Sequence, residues 1–154
     1  MLLDGVNHVA VLTQDTERLS RFYTDIFDAP PAHTIEQQPG FKLSLIDIGQ
    51  GRELNVFEID GNTEAARQTP MFGRGRLDHV GLQAGSLAAF EEVRRRLMAC
   101  GAADDFVTDF GPVLSVFFVD PDGLEGEVLV ANPDYEPGVF HPPGTRAARY
   151  TTPA

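Results

Sequence analysis

The stretches VNHVAV (residues 6–11) and LDHVGL (residues 77–82) are two versions of one β-rich segment. Each has a histidine at its third position, after a polar residue and before a valine, and each pattern predicts a strand with the histidine in its middle. Adding 71 to His8 gives His79, and the same shift carries Asp15 onto Ser86. Aspartate and serine are both typical helix N-cap residues. The agreement indicates an internal duplication of a strand followed by a helix.

The duplication extends along each copy. Residues 16–27 and 87–100 carry apolar side chains at helical spacing, and the shift of 71 again places apolar on apolar (Leu19 on Phe90, Phe22 on Val93, Ile26 on Leu97). Period-two patterns predict the strands, which are residues 5–12, 32–37 (weaker), 41–49 and 53–59 in the first copy and 77–83, 105–110, 112–119 and 124–131 in the second. We therefore predict an α+β fold in which two tandem βαβββ modules form a curled mixed sheet with a central cleft.

The modules define the predicted domain organisation. Module one covers about residues 5–60, a linker covers 61–75, and module two covers 76–131, all within a single domain over residues 1–131. Residues 132–154 form a C-terminal tail that contains five of the 11 prolines. Such a tail is either disordered or a strap anchored by its large apolar side chains (Tyr135, Val139, Phe140, Tyr150) on this chain, a partner subunit or the cleft.

Composition restricts the class of protein. The chain has 154 residues and a net charge of −11, from 12 basic and 23 acidic residues. This charge disfavours general nucleic-acid binding, and no apolar run is long enough to span a membrane. The lone Cys100 is compatible with a reducing compartment. With no secretory signal pattern at the N-terminus, we expect a cytoplasmic protein.

Alternation of side chains along the strands predicts a metal site. The valine and leucine pairs form the natural packing surface for the helices, so His8 and His79 face the opposite side, toward the cleft. The last strand of each module places Asn55 and Phe57, and Glu127, on that same side, and a shift of 72 relates Asn55 to Glu127. Two imidazoles and a carboxylate suit Fe, Mn, Ni, Co or Zn. We predict that His8, His79 and Glu127 bind one divalent metal and that Asn55 and Phe57 line the substrate cleft.

The catalytic residues are not identified by the sequence. Glu125 and Glu53 are candidates for the base that transfers a proton, because the strand alternation aims both into the cleft. The basic stretch MFGRGR (71–76) is either a glycine-spaced linker with solvated arginines or a contact for an anionic substrate.

The sequence also resembles the vicinal oxygen chelate superfamily, which includes glyoxalases, extradiol dioxygenases and bleomycin resistance proteins. NHVAVLTQDTERLSRFYTDIF (7–27) looks like the family's opening strand and helix, LDHVGL like its repeat, and DPDGLEGEV (120–128) like its closing motif, in which a glutamate follows seven residues after the first aspartate. The resemblance covers about residues 5–131 and implies a glyoxalase-like fold, metal ligands at His8, His79 and Glu127, and a homodimer. Many metal-dependent members have Glu or Gln where this chain has Asn55.

Two functions follow from these observations. The first is a divalent-metal-dependent enzyme that acts on a small substrate with neighbouring oxygens, by ring-cleaving dioxygenase or by lyase and isomerase chemistry. The second is a metal-free protein that binds a small molecule, of the kind that confers antibiotic resistance in the bleomycin-resistance branch. Net acidity would favour a cationic ligand for such a protein.

Overall fold

A computed structural model describes residue 2 and residues 4–67 and 69–151 of the chain. The chain divides into two compact units, which are Met1–Thr69 with Asp120–Gly123, and Pro70–Val119 with Leu124–Ala154. Each unit contains one four-stranded mixed sheet and one α-helix, in the order strand, helix, three strands. The α+β class and the duplicated glyoxalase-like architecture are confirmed, as two sheets of four strands each. Within the described residues, no helix is long and apolar enough to cross a membrane.

The first unit contains β1 (His8–Thr13), α1 (Thr16–Phe27), β2 (His33–Gln38), β3 (Phe41–Asp47) and β4 (Glu53–Ile59). The strand order is β1-β4-β3-β2, and β1 is parallel to β4 while the other pairs are antiparallel. The parallel pairing makes β1 and β4 neighbours although they lie far apart in sequence. It therefore brings the face of β1 that carries His8 beside the face of β4 that carries Asn55.

Helix α1 covers one face of this sheet. Leu54, Val56 and Ile46 are 2% exposed or less, and the apolar stripe of α1 packs against β3 and β4. At the start of the helix the Asp15 carboxylate accepts the Arg18 N–H, as predicted for an N-cap. The buried side of β4 is thus the predicted helix side, whereas Glu53, Asn55 and Phe57 belong to the other face.

The second unit repeats the arrangement with β5 (Val80–Gln83), α2 (Leu87–Ala99), β6 (Thr108–Asp109), β7 (Val113–Val119) and β8 (Glu125–Ala131). The strand order is β5-β8-β7-β6, with β5 parallel to β8. Ser86 caps α2 by accepting the Ala89 N–H, so the predicted correspondence with Asp15 holds in the structure. Val116 and Val128 are buried on the face that packs toward α2.

The strands that carry the histidines begin later than predicted. His8 is the first residue of β1 rather than its middle, and His79 lies one residue before β5. The segment before β5 closes a loop instead of pairing, because the Asp78 carboxylate accepts a hydrogen bond from the backbone N–H of Phe72. Both imidazoles therefore stand at the edge of their sheet.

The tail packs on the second unit. Arg146 forms an antiparallel bridge with Thr108, which extends the sheet beyond the two-residue β6. Farther along, the Tyr150 ring lies 6.4 Å from the ring of Phe90, with the Arg94 guanidinium 5.0 Å from its centre. Of the predicted anchors Tyr150 makes these contacts, whereas Phe140 is 72% exposed. The described part of the tail is a strap over its own unit.

Candidate metal centre

The second unit brings together two of the predicted metal ligands. His79 Nε2 lies 3.4 Å from Glu127 Oε2, and Glu127 is only 8% exposed. Glu127 lies opposite Gly81 in the β5–β8 register, and a Cβ atom built on Gly81 would lie 3.8 Å from Glu127 Oε2. These contacts place His79, Gly81 and Glu127 on the face that is turned away from α2. An imidazole nitrogen and a carboxylate oxygen at this separation are a usable pair of donors for a divalent ion.

A second carboxylate holds the other side of the His79 ring. His79 Nδ1 lies 2.9 Å from Asp78 Oδ2, and the same aspartate accepts the Phe72 N–H. The hydrogen bond from His79 is the main reason why the pKa of Asp78 is below its ordinary value. Asp78 therefore stays ionised at neutral pH and supports an imidazole whose second nitrogen is directed at Glu127. The sequence interpretation did not single out Asp78, although its position directly before the histidine was visible.

The Glu127 carboxylate also accepts a hydrogen bond from a side chain of β7. Ser115, which is fully buried, donates its hydroxyl hydrogen to Glu127 Oε1. The Phe117 ring meets the His79 ring edge to face at 5.9 Å between centroids. One carboxylate oxygen is thus occupied by the serine, and the other is left to face His79. A buried carboxylate that receives a hydrogen bond from a neutral hydroxyl is the kind of group that a cation would stabilise.

Glu125, one of the two candidate bases, is engaged in an ion pair. Arg74 Nη2 lies 3.1 Å from Glu125 Oε2, and the arginine side chain is only 13% exposed. Arg74 comes from the basic stretch 71–76, so one of its arginines is a buried partner of the site face rather than a solvated linker residue. Because its carboxylate is already engaged by Arg74, Glu125 is a weaker candidate for the base.

The remaining predicted residues lie in the first unit. His8 is exposed, with its Nδ1 2.8 Å from Asn7 Oδ1. In the β1–β4 register His8 lies opposite Glu53 and Ala10 opposite Asn55, so the predicted residues share the face away from α1. The Phe57 ring meets Phe41 edge to face at 5.8 Å. Asn55 Oδ1 is buried and has no hydrogen-bond partner among the residues that the structure describes.

The predicted residues thus fall into two groups. His79 and Glu127 lie together in the second unit, whereas His8, Glu53, Asn55 and Phe57 lie on one sheet face in the first. Within neither unit do three or more described His, Cys, Asp or Glu side chains gather closely enough to bind a metal ion. The three-ligand site therefore remains a prediction. Within the second unit, the imidazole nitrogen and carboxylate oxygen of the His79–Glu127 pair are chemically suited to a divalent cation.

The family model for the Glyoxalase/Bleomycin resistance protein/Dioxygenase superfamily matches residues 5–128. The chain belongs to this superfamily. The match spans both modules, including the two histidine segments and Glu127, and stops before the tail. The resemblance seen in the sequence is confirmed at the level of the superfamily. No curated protein sequence matches the chain.

Solved structures of the superfamily share the fold. A glyoxylase/bleomycin resistance protein/dioxygenase domain from Frankia sp. EAN1pec superposes with a TM-score of 0.69 at 23% identity, covering 86% of this chain and 96% of that one. The fosfomycin resistance protein FosX from Listeria monocytogenes, in complex with Mn(II) and sulfate, gives 0.61 at 17% identity and coverages of 86% and 96%. Lactoylglutathione lyase from Agrobacterium tumefaciens gives 0.57 at 20%, with coverages of 84% and 96%.

Proposed function

We propose that this protein is a divalent-metal-dependent enzyme acting on a small substrate that carries neighbouring oxygens. The observation that carries the proposal is the 3.4 Å approach of His79 Nε2 to Glu127 Oε2, with the far sides of both groups already held by Asp78 and Ser115. The lone pairs that remain on these two ligands face each other. FosX, which shares the fold, is described as a complex with Mn(II).

In this proposal His8 supplies the third ligand. It occupies the position in the first module that His79 occupies in the second, and its Nδ1 contacts the side chain of the preceding residue in the same way. Fe, Mn, Ni, Co and Zn are all compatible with two imidazoles and a carboxylate. When bound, such an ion acts as a Lewis acid that polarises substrate oxygens.

The other residues of these faces then bind and orient the substrate. The Phe57 and Phe41 rings offer an apolar surface beside the Asn55 amide, whose oxygen is free to accept a hydrogen bond from a substrate hydroxyl. Glu53 lies opposite His8 in the register and is the better candidate for a base, because Glu125 is paired with Arg74. Whether the chemistry is ring cleavage or a lyase or isomerase reaction depends on the metal and the substrate.

Metal titration tests the proposal. Protein prepared without an affinity tag is titrated with Mn²⁺, and free Mn²⁺ is followed by electron paramagnetic resonance. We expect one ion per chain. His79→Ala, Glu127→Ala and His8→Ala should each weaken binding by at least about 100-fold, because losing a ligand costs more than losing an outer-shell partner, which costs about 10–100-fold.

His141→Ala is the matched control, since it removes a histidine from the tail. It should bind Mn²⁺ like the unmodified chain. Titration with Fe²⁺, Co²⁺, Ni²⁺ and Zn²⁺ extends the experiment to the other ions. Absence of binding for all five ions, or equal affinity in the His79→Ala variant, would overturn the metalloenzyme proposal. With Fe²⁺ bound, oxygen uptake on adding a catechol would favour ring cleavage over the lyase and isomerase alternatives.

The aromatic pair on the first sheet favours a second candidate function, binding of a small aromatic ligand without metal. Phe41 and Phe57 are both partly exposed and meet edge to face on the side of the sheet that α1 does not cover. The net charge of −11 would favour a cationic ligand. Metal-independent binding of a cationic aromatic compound, measured by calorimetry with excess chelator and lost in Phe57→Ala, would support this alternative.

A homodimer is the assembly that we propose for the protein. The uncovered face of the first sheet carries apolar side chains near its edge, and Ile35 on β2 is 42% exposed. Such residues are typical of a surface that another chain covers. Light scattering coupled to size-exclusion chromatography should give twice the chain mass of 16.8 kDa. A monomer at micromolar concentration would contradict the assembly but not the metal site.

A further inference from the structure

The residue before each repeated histidine makes the same contact. Asn7 Oδ1 lies 2.8 Å from His8 Nδ1, and Asp78 Oδ2 lies 2.9 Å from His79 Nδ1. The shift of 71 that relates the two histidines also relates Asn7 to Asp78. The contact is thus present twice, once with a neutral side chain and once with a charged one.

Both acceptors dictate where the imidazole proton lies. A carboxylate oxygen and an amide carbonyl oxygen accept hydrogen bonds and donate none. For each ring the hydrogen-bonding acceptor lies at Nδ1, at 2.8 Å for His8 and 2.9 Å for His79, whereas Glu127 lies farther from His79 Nε2, at 3.4 Å. The shorter contact places the proton of the neutral ring on Nδ1 and its lone pair on Nε2. In the second unit this lone pair is directed at Glu127, since Nε2 is the nitrogen that lies 3.4 Å from Oε2.

Asp78 is itself fixed in place. Its other carboxylate oxygen accepts the Phe72 N–H, so the loop before β5 and the His79 ring are held by the two oxygens of one side chain. Asn7 is tied to the sheet through its backbone, because its carbonyl accepts the Glu53 N–H at 3.2 Å. Each acceptor is anchored independently of the histidine that it contacts.

We propose that Asn7 and Asp78 are positioning residues that lock His8 and His79 in the Nδ1–H tautomer and so present Nε2 to the metal. The role of these residues toward a metal rests on the proposed metalloenzyme function, whereas the two tautomers are properties of the metal-free protein. The hydrogen bond from His79 to the charged Asp78 carboxylate is charge-assisted and therefore stronger than the hydrogen bond from His8 to the neutral Asn7 amide.

Nitrogen NMR of the metal-free protein tests the first part. In ¹⁵N-histidine-labelled protein at a pH where the rings are neutral, two-bond proton–nitrogen spectra report which ring nitrogen carries the proton. We expect Nδ1–H for His8 and His79. Asn7→Ala should return His8, and only His8, to the Nε2–H form that an imidazole prefers in water. Asp78→Ala should do the same for His79 alone. An Nε2–H tautomer at either position in the unmodified chain would overturn the proposal.

Exchanging the residues at the equivalent positions 7 and 78 provides a conservative variant for each histidine. Asp78→Asn gives His79 the partner that His8 has, and Asn7→Asp gives His8 the partner that His79 has. Both should keep the Nδ1–H tautomer, which a nonspecific structural effect of substitution would not explain. Reversion of His79 to Nε2–H in Asp78→Asn would count against the acceptor role.

Mn²⁺ affinity tests the second part. Asp78→Ala should weaken Mn²⁺ binding by about 10–100-fold, Asp78→Asn by less, and Asn7→Ala by less than Asp78→Ala. Unchanged affinity in Asp78→Ala would overturn the positioning role toward the metal. If the unmodified chain binds none of Mn²⁺, Fe²⁺, Co²⁺, Ni²⁺ and Zn²⁺, the proposed function fails, while the tautomer spectra still decide whether Asn7 and Asp78 set the two rings.

Discussion

Gly126 is the residue of β8 at which a side chain has no space. A Cβ atom built there would lie 2.3 Å from Cζ of Phe118, and Phe118 is 3% exposed beneath α2. The two residues lie opposite each other in the β7–β8 register. The ring therefore fills the space that a side chain on β8 would otherwise take, one residue before Glu127.

The first prediction concerns this close approach. Gly126→Ala forces the buried Phe118 ring to move, and overpacking of this kind costs about 1–3 kcal/mol of unfolding free energy. Urea denaturation measures the change. The control is Gly85→Ala, because nothing lies within 4 Å of a Cβ atom at Gly85. Equal denaturation midpoints for the two variants would show that the Phe118 ring has room to shift.

Single residues were predictable from the sequence where strand alternation decides their direction. His79 and Glu127, which alternation assigned to one face, lie with Nε2 and Oε2 3.4 Å apart. Asp78, Ser115 and Arg74 were not predicted, since their roles depend on a loop and on a neighbouring strand whose register the sequence does not reveal. Supporting side chains of this kind carry no periodic signal of their own.

At the scale of the element, the start of α1 is stabilised from another strand. Glu58 on β4 accepts the Thr16 N–H at 2.8 Å and the Lys42 ammonium at 2.8 Å. A carboxylate at a helix N-terminus satisfies an otherwise unpaired N–H and complements the helix dipole. This role of Glu58 has no local signature in the sequence, because the helix that it caps begins 42 residues away.

The second prediction is a pH dependence at Glu58. The Lys42 hydrogen bond, followed by the Thr16 N–H, lowers the pKa of Glu58 from 4.5 to about 2. The folded state therefore prefers the ionised form, so this stabilisation is complete above pH 4.5 and is lost as the pH falls toward 2. Glu58→Gln should reduce the free energy of unfolding at pH 7 by about 1–2 kcal/mol.

Urea denaturation at several pH values checks this expectation. The difference in stability between the unmodified chain and Glu58→Gln should shrink as the pH falls from 4.5 toward 2. The control is Glu64→Gln, because Glu64 pairs with Arg67 in an ion pair more than half exposed on both sides, and such pairs contribute little. A difference that stays constant with pH would rule out the ionised carboxylate as its source.

The boundaries of elements were predictable where capping residues mark them. Asp15 and Ser86 begin α1 and α2 as predicted. The predicted strand over residues 105–110 shortens to Thr108–Asp109, because the tail takes part in pairing there, with the Asp109 N–H donating to Thr145 O. A pairing partner that comes from an irregular, proline-rich segment cannot be inferred from alternation.

At the scale of the whole molecule, the duplicated fold could be predicted from the repeat, and the superfamily from the resemblance of residues 7–27, 77–82 and 120–128 to its motifs. The function could not, because it depends on whether His8 joins His79 and Glu127 around one ion. That question concerns the placement of two separate sheet faces, and a repeat in sequence specifies each module without specifying the substrate or the metal. Sequence patterning also leaves open whether the tail is ordered.

The third prediction concerns the tail. Removing residues 133–154 deletes Ala147, which is 1% exposed, and Tyr150, which packs near Phe90 and Arg94. We expect a lower melting temperature than for the full chain, with Tyr150→Ala lying between the two. The aromatic control is Phe140→Ala, which should stay within about 0.5 kcal/mol because Phe140 is largely exposed. An unchanged melting temperature after truncation would contradict the strap.

The tail has a further consequence, because its attachment to the sheet is made by main-chain atoms. The Asp109 N–H donates to Thr145 O at 2.8 Å, and the Ala147 N–H donates to Val107 O at 2.9 Å. These two amides should exchange with deuterium slowly and at matching rates, which would report attachment in the unmodified protein. If the tail detaches, the edge of β6 is left unpaired, and an extended peptide could add there as a new strand.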